Sequence, residues 1–215
     1  MRYRGILFDM DGTVLDTLGD LTDSMNHSLA QFSLPSVSEE RAAMGLGNGA
    51  DYYVRSCMPE GSDEALVKKV LDCYRPWYDA HCLIRTKPYD GIIPLMETLR
   101  QEGGLIAIIS NKPDFAVQEL AEAFFPGLLE LSVGESPAVR RKPAPDTVLA
   151  AAEKMGLAIS DCVYIGDTEV DLETARNAGM DCIAVTWGFR SEEQLHQDGA
   201  SVIVHNTDEL LEKLR

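Results

Sequence analysis

Residues 6–17 of the chain read Ile-Leu-Phe-Asp-Met-Asp-Gly-Thr-Val-Leu-Asp-Thr. The apolar run that begins this stretch predicts a buried strand, and Gly12 allows the chain to turn directly after it. Asp9 and Asp11 would then face one crevice and repel each other, unless a cation or a proton lies between them. By itself the stretch fits an ordinary Asp-Gly turn equally well, so the rest of the chain has to decide its role.

The composition predicts a globular protein. The 215 residues are 45% hydrophobic and 25% charged, which suits one larger domain or a core with a smaller appended module. The longest apolar runs, such as residues 105–109, are far too short to span a membrane, and the N-terminus lacks the apolar region of a signal peptide. Five cysteines without a CxxC pair fit reduced thiols. We therefore expect a cytoplasmic protein with no membrane partner.

The charge balance limits the class of partner. The formal net charge is −16, whereas a protein that binds nucleic acid needs a basic face. We therefore expect no nucleic-acid partner. An anionic substrate is compatible with this charge only where a metal ion or a few placed Lys or Arg side chains supply a local cation.

The spacing of apolar residues predicts a helical module within an α/β chain. Between residues 15 and 87 apolar residues recur at three- and four-residue intervals, interrupted by a glycine-rich run at residues 45–49. After Pro88, helices alternate with short apolar strands, a pattern typical of a parallel sheet that is covered on both faces. We predict an α/β core formed by residues 1–14 and 88–215, with an all-helical module at residues 15–87.

The predicted strands end in residues that can carry chemistry, at the edge where parallel sheets bind ligands. These ends hold Asp9 and Asp11, the run Ser110-Asn111-Lys112, Lys142, and Asp167 with Asp171. A carboxylate nucleophile can take up a phosphoryl group, and a second carboxylate can donate and accept a proton. Mg²⁺ prefers oxygen ligands, while a hydroxyl and an ammonium group can bind phosphoryl oxygens. The set therefore suits phosphoryl transfer through an aspartyl phosphate.

Four segments in this order carry a resemblance to a known family. They are Asp9-Met10-Asp11-Gly12-Thr13, Ser110 after its apolar strand, Lys142 before Pro143, and Gly166-Asp167-Thr168-Glu169-Val170-Asp171. Together they resemble the DxDGT, Ser, Lys and GDxxxD motifs of the haloacid dehalogenase superfamily. The resemblance implies a Rossmann-like parallel core, with residues 15–87 as an inserted helical cap of the C1 type. Asp11 favours a phosphate ester as substrate, since the dehalogenase branch lacks a carboxylate at this position.

The resemblance also implies a role for each motif residue. Asp9 would be the nucleophile and Asp11 the general acid and base. Mg²⁺ would be held by the Asp9 carboxylate, the Asp11 backbone carbonyl and Asp167, with Asp171 ligating through water or orienting its neighbours. Ser110 and Lys142 would bind the phosphate. Further substrate contacts are expected from Asn111, Asn48 and Gly49.

Two segments indicate a substrate. Residues 45–51 and 186–195 resemble segments of phosphoglycolate phosphatases. We therefore expect phosphoglycolate or a similarly small phosphorylated metabolite as substrate, and a monomer or a homodimer. Pyrophosphatases, nucleotidases and sugar phosphatases of the superfamily stay open as alternatives, as does a phosphomutase like β-phosphoglucomutase. A non-enzymatic receiver-like module is disfavoured by Asp11 and by the helical module.

Overall fold

The computed structural model describes residues 1–137 and 139–215. Its main sheet has six parallel strands in the order β5-β4-β1-β6-β7-β8. The strands are β1 (Gly5–Phe8), β4 (Leu105–Pro113), β5 (Leu131–Glu135), β6 (Cys162–Gly166), β7 (Asp181–Val185) and β8 (Ile203–Val204). The predicted parallel α/β core is thus confirmed.

Helices cover both faces of this sheet. They are α5 (Ile92–Gln101), α6 (Asp114–Phe124), α7 (Asp146–Lys154), α8 (Glu169–Ala178), α9 (Glu192–Gln197) and α10 (Thr207–Leu214). The side chains of β1 divide between two apolar clusters, with Ile6 and Phe8 in one and Leu7 in the other. Because the side chains of a strand alternate between the two faces of the sheet, each face carries one of these buried clusters.

The central strand β1 places Asp9 at the middle of the sheet edge. All four residues of β1 are buried, and the strand pairs with β4 on one side and with β6 on the other. Strands β4 and β5 extend the sheet on one side of β1 and strands β6, β7 and β8 on the other, so the strand order reverses at β1 and a crevice forms at the carboxyl ends of these strands. Asp9 follows β1 directly, so it lies at the mouth of this crevice.

A helical insertion follows the first strand. It contains α1 (Leu18–Gln31), α2 (Glu39–Ala43), α3 (Gly49–Cys57) and α4 (Glu64–His81). Its apolar faces share one buried cluster that includes Leu21, Met25, Val70 and Tyr74. The predicted helical content between residues 15 and 87 agrees with this arrangement.

The join between the insertion and the core differs from the sequence-based expectation. We expected no strand in residues 15–87, but β2 (Leu15–Asp16) pairs with β3 (Lys87–Pro88) in an antiparallel two-residue ladder. Two residues are too few to show a strand periodicity in the sequence. The buried Asp20 carboxylate accepts hydrogen bonds from the backbone N–H groups of residues 84–86, which fixes the chain where it returns to the core.

Several element bounds also differ from prediction. Strand β4 was expected to stop before Ser110 but continues to Pro113, so residues 110–112 belong to the strand itself. Helix α9 was not predicted, because six residues carry little periodicity. None of the helices in residues 1–137 and 139–215 is long and apolar enough to cross a membrane.

Candidate active site

Lys142 contacts several of the polar side chains at the crevice. Its side chain is 2% exposed, and its Nζ lies 2.9 Å from Asp9 Oδ1 and 2.7 Å from Asp171 Oδ1. The same ammonium group donates a hydrogen bond of 2.9 Å to the hydroxyl of Tyr164. Burial by itself lowers the pKa of Lys142, but the charges of Asp171 and Asp9 outweigh it and raise the pKa above its usual range. Lys142 is therefore a buried cation that holds two carboxylates.

Three buried carboxylates form a group that suits a metal ion. One oxygen from each of Asp9, Asp167 and Asp171 lies within 4.8 Å of the others. Burial, followed by the charge of Asp171, raises the pKa of Asp9 to about 7, while Lys142 limits the rise. The same two causes raise the pKa of Asp167 well above its usual range. With all three ionised and Lys142 charged, the group carries two excess negative charges, which a divalent cation would balance.

Hydrogen bonds and close packing hold the Asp167 carboxylate in place. Its Oδ1 accepts a hydrogen bond of 3.0 Å from Thr13 Oγ1, and its Oδ2 accepts one of 2.7 Å from the backbone N–H of Phe189. Gly12, with a φ of 81°, and Gly188 both lie so close to Asp167 that a Cβ on either would overlap it. The glycine of the first motif is therefore required both by its backbone conformation and by the packing of the site.

Asp171 uses both of its oxygens within the protein. Its Oδ2 accepts hydrogen bonds from the backbone N–H groups of Asp167 and Thr168 and from Thr168 Oγ1. Its Oδ1 faces Lys142. These contacts favour the part of the prediction in which Asp171 orients its neighbours.

Asp11 lies beside a second buried cation. Lys112 Nζ donates to Asp11 Oδ1 at 2.8 Å and to Oδ2 at 2.9 Å, and the Lys112 side chain is 3% exposed. Ser110 lines the same crevice as Asp9 and Asp11, and its Oγ accepts a hydrogen bond from the backbone N–H of Lys112. The strand end of β4 therefore brings a hydroxyl and an ammonium group to the two aspartates of β1.

The predicted substrate contacts lie in different places. Asn111 donates hydrogen bonds of 2.9 Å to the carbonyl oxygens of Gly47 and Lys142, so its amide connects the insertion to the core. Gly49 lies in the wall of the crevice. Asn48 directly precedes α3 and makes no side-chain capping bond. Of these three residues, Asn111 and Gly49 face the crevice, and Asn48 is not among the residues that line it.

The insertion covers the crevice, which becomes a partly open cavity. Helices α3 and α4 supply tyrosines to its roof, and the strand ends of β1 and β4 form its floor. The lining residues are Asp9, Asp11, Leu21, Leu46, Gly47, Gly49, Ala50, Tyr53, Tyr74, Arg75, Tyr78, Asp79, Ser110, Asn111, Lys112 and Pro113. The proposed nucleophile and general acid therefore share one cavity with a largely apolar and aromatic roof.

The sequence profile of the haloacid dehalogenase-like hydrolases matches residues 6–185. The chain belongs to this family. It is similar to the N-acetylmuramic acid 6-phosphate phosphatase of Pseudomonas aeruginosa, with 32% identity over 100% of this chain and 96% of the relative. It is also similar to the phosphoglycolate phosphatase of Xanthomonas campestris, with 33% identity over 88% of this chain and 86% of the relative.

A solved structure supports the same assignment for this hydrolase. A Lactobacillus delbrueckii protein, provisionally named a phosphoglycolate phosphatase, superposes with a TM-score of 0.96 and is 39% identical. The match covers 100% of this chain and 99% of the other. The prediction of a phosphatase of the haloacid dehalogenase superfamily is confirmed.

Sequence reasoning missed several residues of the hydrolase site. The sequence places Lys112 at a strand end but indicates no role for it, and Tyr164 is a polar residue inside the apolar run of β6. Thr13 belongs to the first motif, which was the signal that could have found it. Arg190 donates to the carbonyl oxygens of Ala43 and Leu46 in the insertion. No pattern of side chains predicts the contact of Arg190 with the insertion, because its acceptors there are backbone carbonyl groups.

Proposed function

We propose that this hydrolase is a Mg²⁺-dependent phosphomonoesterase that forms an aspartyl phosphate on Asp9. The observation that carries the proposal is the arrangement around that carboxylate. Asp9 is buried, lies 2.9 Å from the Lys142 ammonium group, and shares a cavity with Asp11 and Ser110. A carboxylate held beside a cation and a candidate proton donor suits nucleophilic attack on phosphorus.

The reaction follows from these positions in two steps. The Asp9 carboxylate attacks phosphorus, the bond to the ester oxygen breaks, and Asp11 donates a proton to the departing alcohol. Water then attacks the phosphorus of the aspartyl phosphate and gives a proton to Asp11, the bond between the Asp9 oxygen and phosphorus breaks, and inorganic phosphate leaves with the Asp9 carboxylate restored. Ser110 binds a phosphoryl oxygen in both steps, and the charge of Lys142, which lies against Asp9, stabilises the negative charge on the nucleophile and on the phosphoryl group.

The carboxylate cluster fits a magnesium ion. Asp9, Asp167 and the backbone carbonyl of Asp11 would hold it, with Asp171 orienting the cluster and Lys142. When bound, Mg²⁺ would offset the negative charge of the cluster and of the phosphoryl oxygens. The excess of buried carboxylates over Lys142 supports this assignment.

The substrate we propose is phosphoglycolate or a phosphate ester of similar size. Two similar proteins are named for different substrates, one for phosphoglycolate and one for N-acetylmuramic acid 6-phosphate, so similarity alone does not choose between them. The cavity has to hold the phosphoryl group as well as the alcohol. Tyr53, Tyr74 and Tyr78 close its roof and are each less than 4% exposed, which favours a compact alcohol.

An activity panel tests the proposal. Phosphate release is measured from phosphoglycolate, pyrophosphate, nucleotides and sugar phosphates, with Mg²⁺ and with EDTA, and the substrates are ranked by kcat/KM. We expect Mg²⁺-dependent hydrolysis with the highest kcat/KM for a small ester. Conversion of β-glucose 1-phosphate into glucose 6-phosphate without phosphate release would instead establish a phosphomutase.

The covalent step has its own test. A ³²P-labelled ester is mixed with the enzyme for less than one turnover, and the protein is denatured in acid. We expect label on the wild-type protein and none on Asp9→Asn. Full ester hydrolysis by Asp9→Asn would contradict Asp9 as the nucleophile.

A further inference from the structure

The ammonium group of Lys112 has one N–H bond that is not used in a hydrogen bond. Two of its three N–H bonds go to the oxygens of Asp11, at 2.8 and 2.9 Å. No third acceptor for it occurs in residues 1–137 or 139–215, and its Nζ instead lies 4.6 Å from the centre of the Tyr78 ring in the insertion. Lys112 is 6% exposed and lines the cavity. Asp11 already balances the charge of Lys112, but the unused N–H bond at the cavity wall favours a ligand that accepts a hydrogen bond, and an anionic acceptor forms the strongest one.

The distance from Lys112 to the reacting atoms limits where that anion can be. In the proposed reaction, Asp11 hydrogen-bonds the ester oxygen of the substrate, and Lys112 Nζ lies 2.8 Å from Asp11. Two hydrogen-bond lengths place Nζ within roughly 5–6 Å of the ester oxygen. A carboxylate on the carbon that carries the ester oxygen has its own oxygens three bonds away, which is within reach of Nζ. A carboxylate on the far side of a sugar ring is not.

We propose that Lys112 determines specificity by recognising a carboxylate on the same carbon that carries the phosphate ester. This inference rests on the proposed function, since it takes the position of the ester oxygen from Asp11. Lys112 binds the substrate carboxylate with its third N–H bond while it keeps its contact with Asp11. The low-dielectric wall strengthens this interaction relative to one in water.

A second cation lines the cavity and serves as the matched comparison. Arg75 is exposed, whereas Lys112 is buried. Solvent and salt screen an exposed charge, so Arg75 contributes less to binding an anion inside the cavity. The two side chains therefore separate a specific contact from a general electrostatic attraction.

The test compares 2-phosphoglycolate with 2-phosphoglycolamide, its neutral analogue of the same shape. We expect wild type to prefer the carboxylate by at least about tenfold in kcat/KM, and Lys112→Met to reduce that preference by about 10- to 100-fold. Arg75→Met is expected to change the preference by no more than about fivefold. The ratio of the two substrates isolates recognition, because misplacement of Asp11 would slow both of them equally.

The outcomes separate this inference from the proposed function. Equal hydrolysis of both substrates by wild type, an equal loss on both in Lys112→Met, or a collapse of the preference in Arg75→Met would overturn the role of Lys112 while leaving the phosphatase intact. If wild type with Mg²⁺ hydrolyses no ester, the proposed function fails and the inference with it. Circular dichroism checks the fold of each variant. Should Lys112→Met be unfolded, Lys112→Arg keeps the cation and has to retain the preference seen in wild type.

Discussion

Substituting Asn for Asp9 tests the electrostatics of the carboxylate cluster independently of turnover. The pKa of Asp9 is about 7 in the folded protein and about 3.9 in an unfolded chain. In a metal-free protein the folded state therefore binds the proton more tightly, and stability is lost as the pH rises from about 4 to about 7. Asp9→Asn removes this loss, since a carboxamide stays neutral throughout.

The magnitude follows from the same two pKa values. Integrating the proton uptake of Asp9 between pH 5 and pH 8 gives about 3 kcal/mol of lost stability. For a chain of 215 residues, this corresponds to a difference in Tm of about 6–12 °C. In EDTA, the stability of Asp9→Asn relative to wild type should therefore increase by this amount as the pH rises from 5 to 8.

Unfolding by urea and by heat, measured at pH 5, 6, 7 and 8 with EDTA, gives this difference. Asp90→Asn is the matched control, because Asp90 is exposed, and it should leave the pH dependence of wild type unchanged. Mg²⁺ at 100 times its Kd should stabilise wild type by about 2.7 kcal/mol and should stabilise Asp9→Asn less. If the difference in the free energy of unfolding between Asp9→Asn and wild type stayed constant from pH 5 to 8, ionisation of the buried Asp9 would not destabilise the metal-free protein. The reasoning that a metal ion offsets this cost would then be wrong.

Three further substitutions test the neighbouring residues. Asp11→Asn should slow hydrolysis of alkyl phosphates by about 10²- to 10⁴-fold. Hydrolysis of p-nitrophenyl phosphate should slow much less, because nitrophenolate leaves without a proton. Comparing kcat for the two esters tests this prediction. Asp20→Ala leaves backbone N–H groups of residues 84–86 without their acceptor and should lower the free energy of unfolding in urea by at least about 2 kcal/mol. Gly12→Ala places a Cβ against Asp167 at a positive φ and should weaken Mg²⁺ binding measured by calorimetry, at a stability cost of about 1–3 kcal/mol.

The sequence was sufficient to predict that Asp9, Asp167 and Asp171 lie close together, and the reason is topological. Asp9 and Asp167 each follow a buried apolar strand, and the carboxyl ends of neighbouring parallel strands meet at one edge of a sheet. Strands β1 and β6 are such neighbours. Asp171 lies four residues after Asp167, one helical turn away, so it returns to the same crevice. Local rules were therefore sufficient to group two residues that lie 158 and 162 positions after Asp9.

The contacts of Asp11 could not be predicted from the spacing of residues in the sequence. Strand β4 continues through residues 110–112, and that continuation directs Lys112 at Asp11. The apolar run that identified the strand ends before these polar residues, so the hydrophobic pattern does not indicate that the strand continues through them. Tyr78 reaches Lys112 from the insertion, and its position depends on how the helices pack on the core. Periodicity predicts that the helices exist but not how they are placed.

The burial of charge connects the recognised and the missed parts of the site. The chain has 19 Lys and Arg residues, and among those in residues 1–137 and 139–215 only Lys112, Lys142 and Arg190 are buried. Each is paired with a carboxylate, on Asp11, on Asp9 and Asp171, and on Glu169 respectively. Burying such pairs contributes little net stability, since the desolvation of both charges offsets their attraction. The burial of Lys112 and Lys142 against Asp11 and Asp9 therefore indicates that these two cations serve binding and catalysis, which supports a role for Lys112 beside that of Lys142.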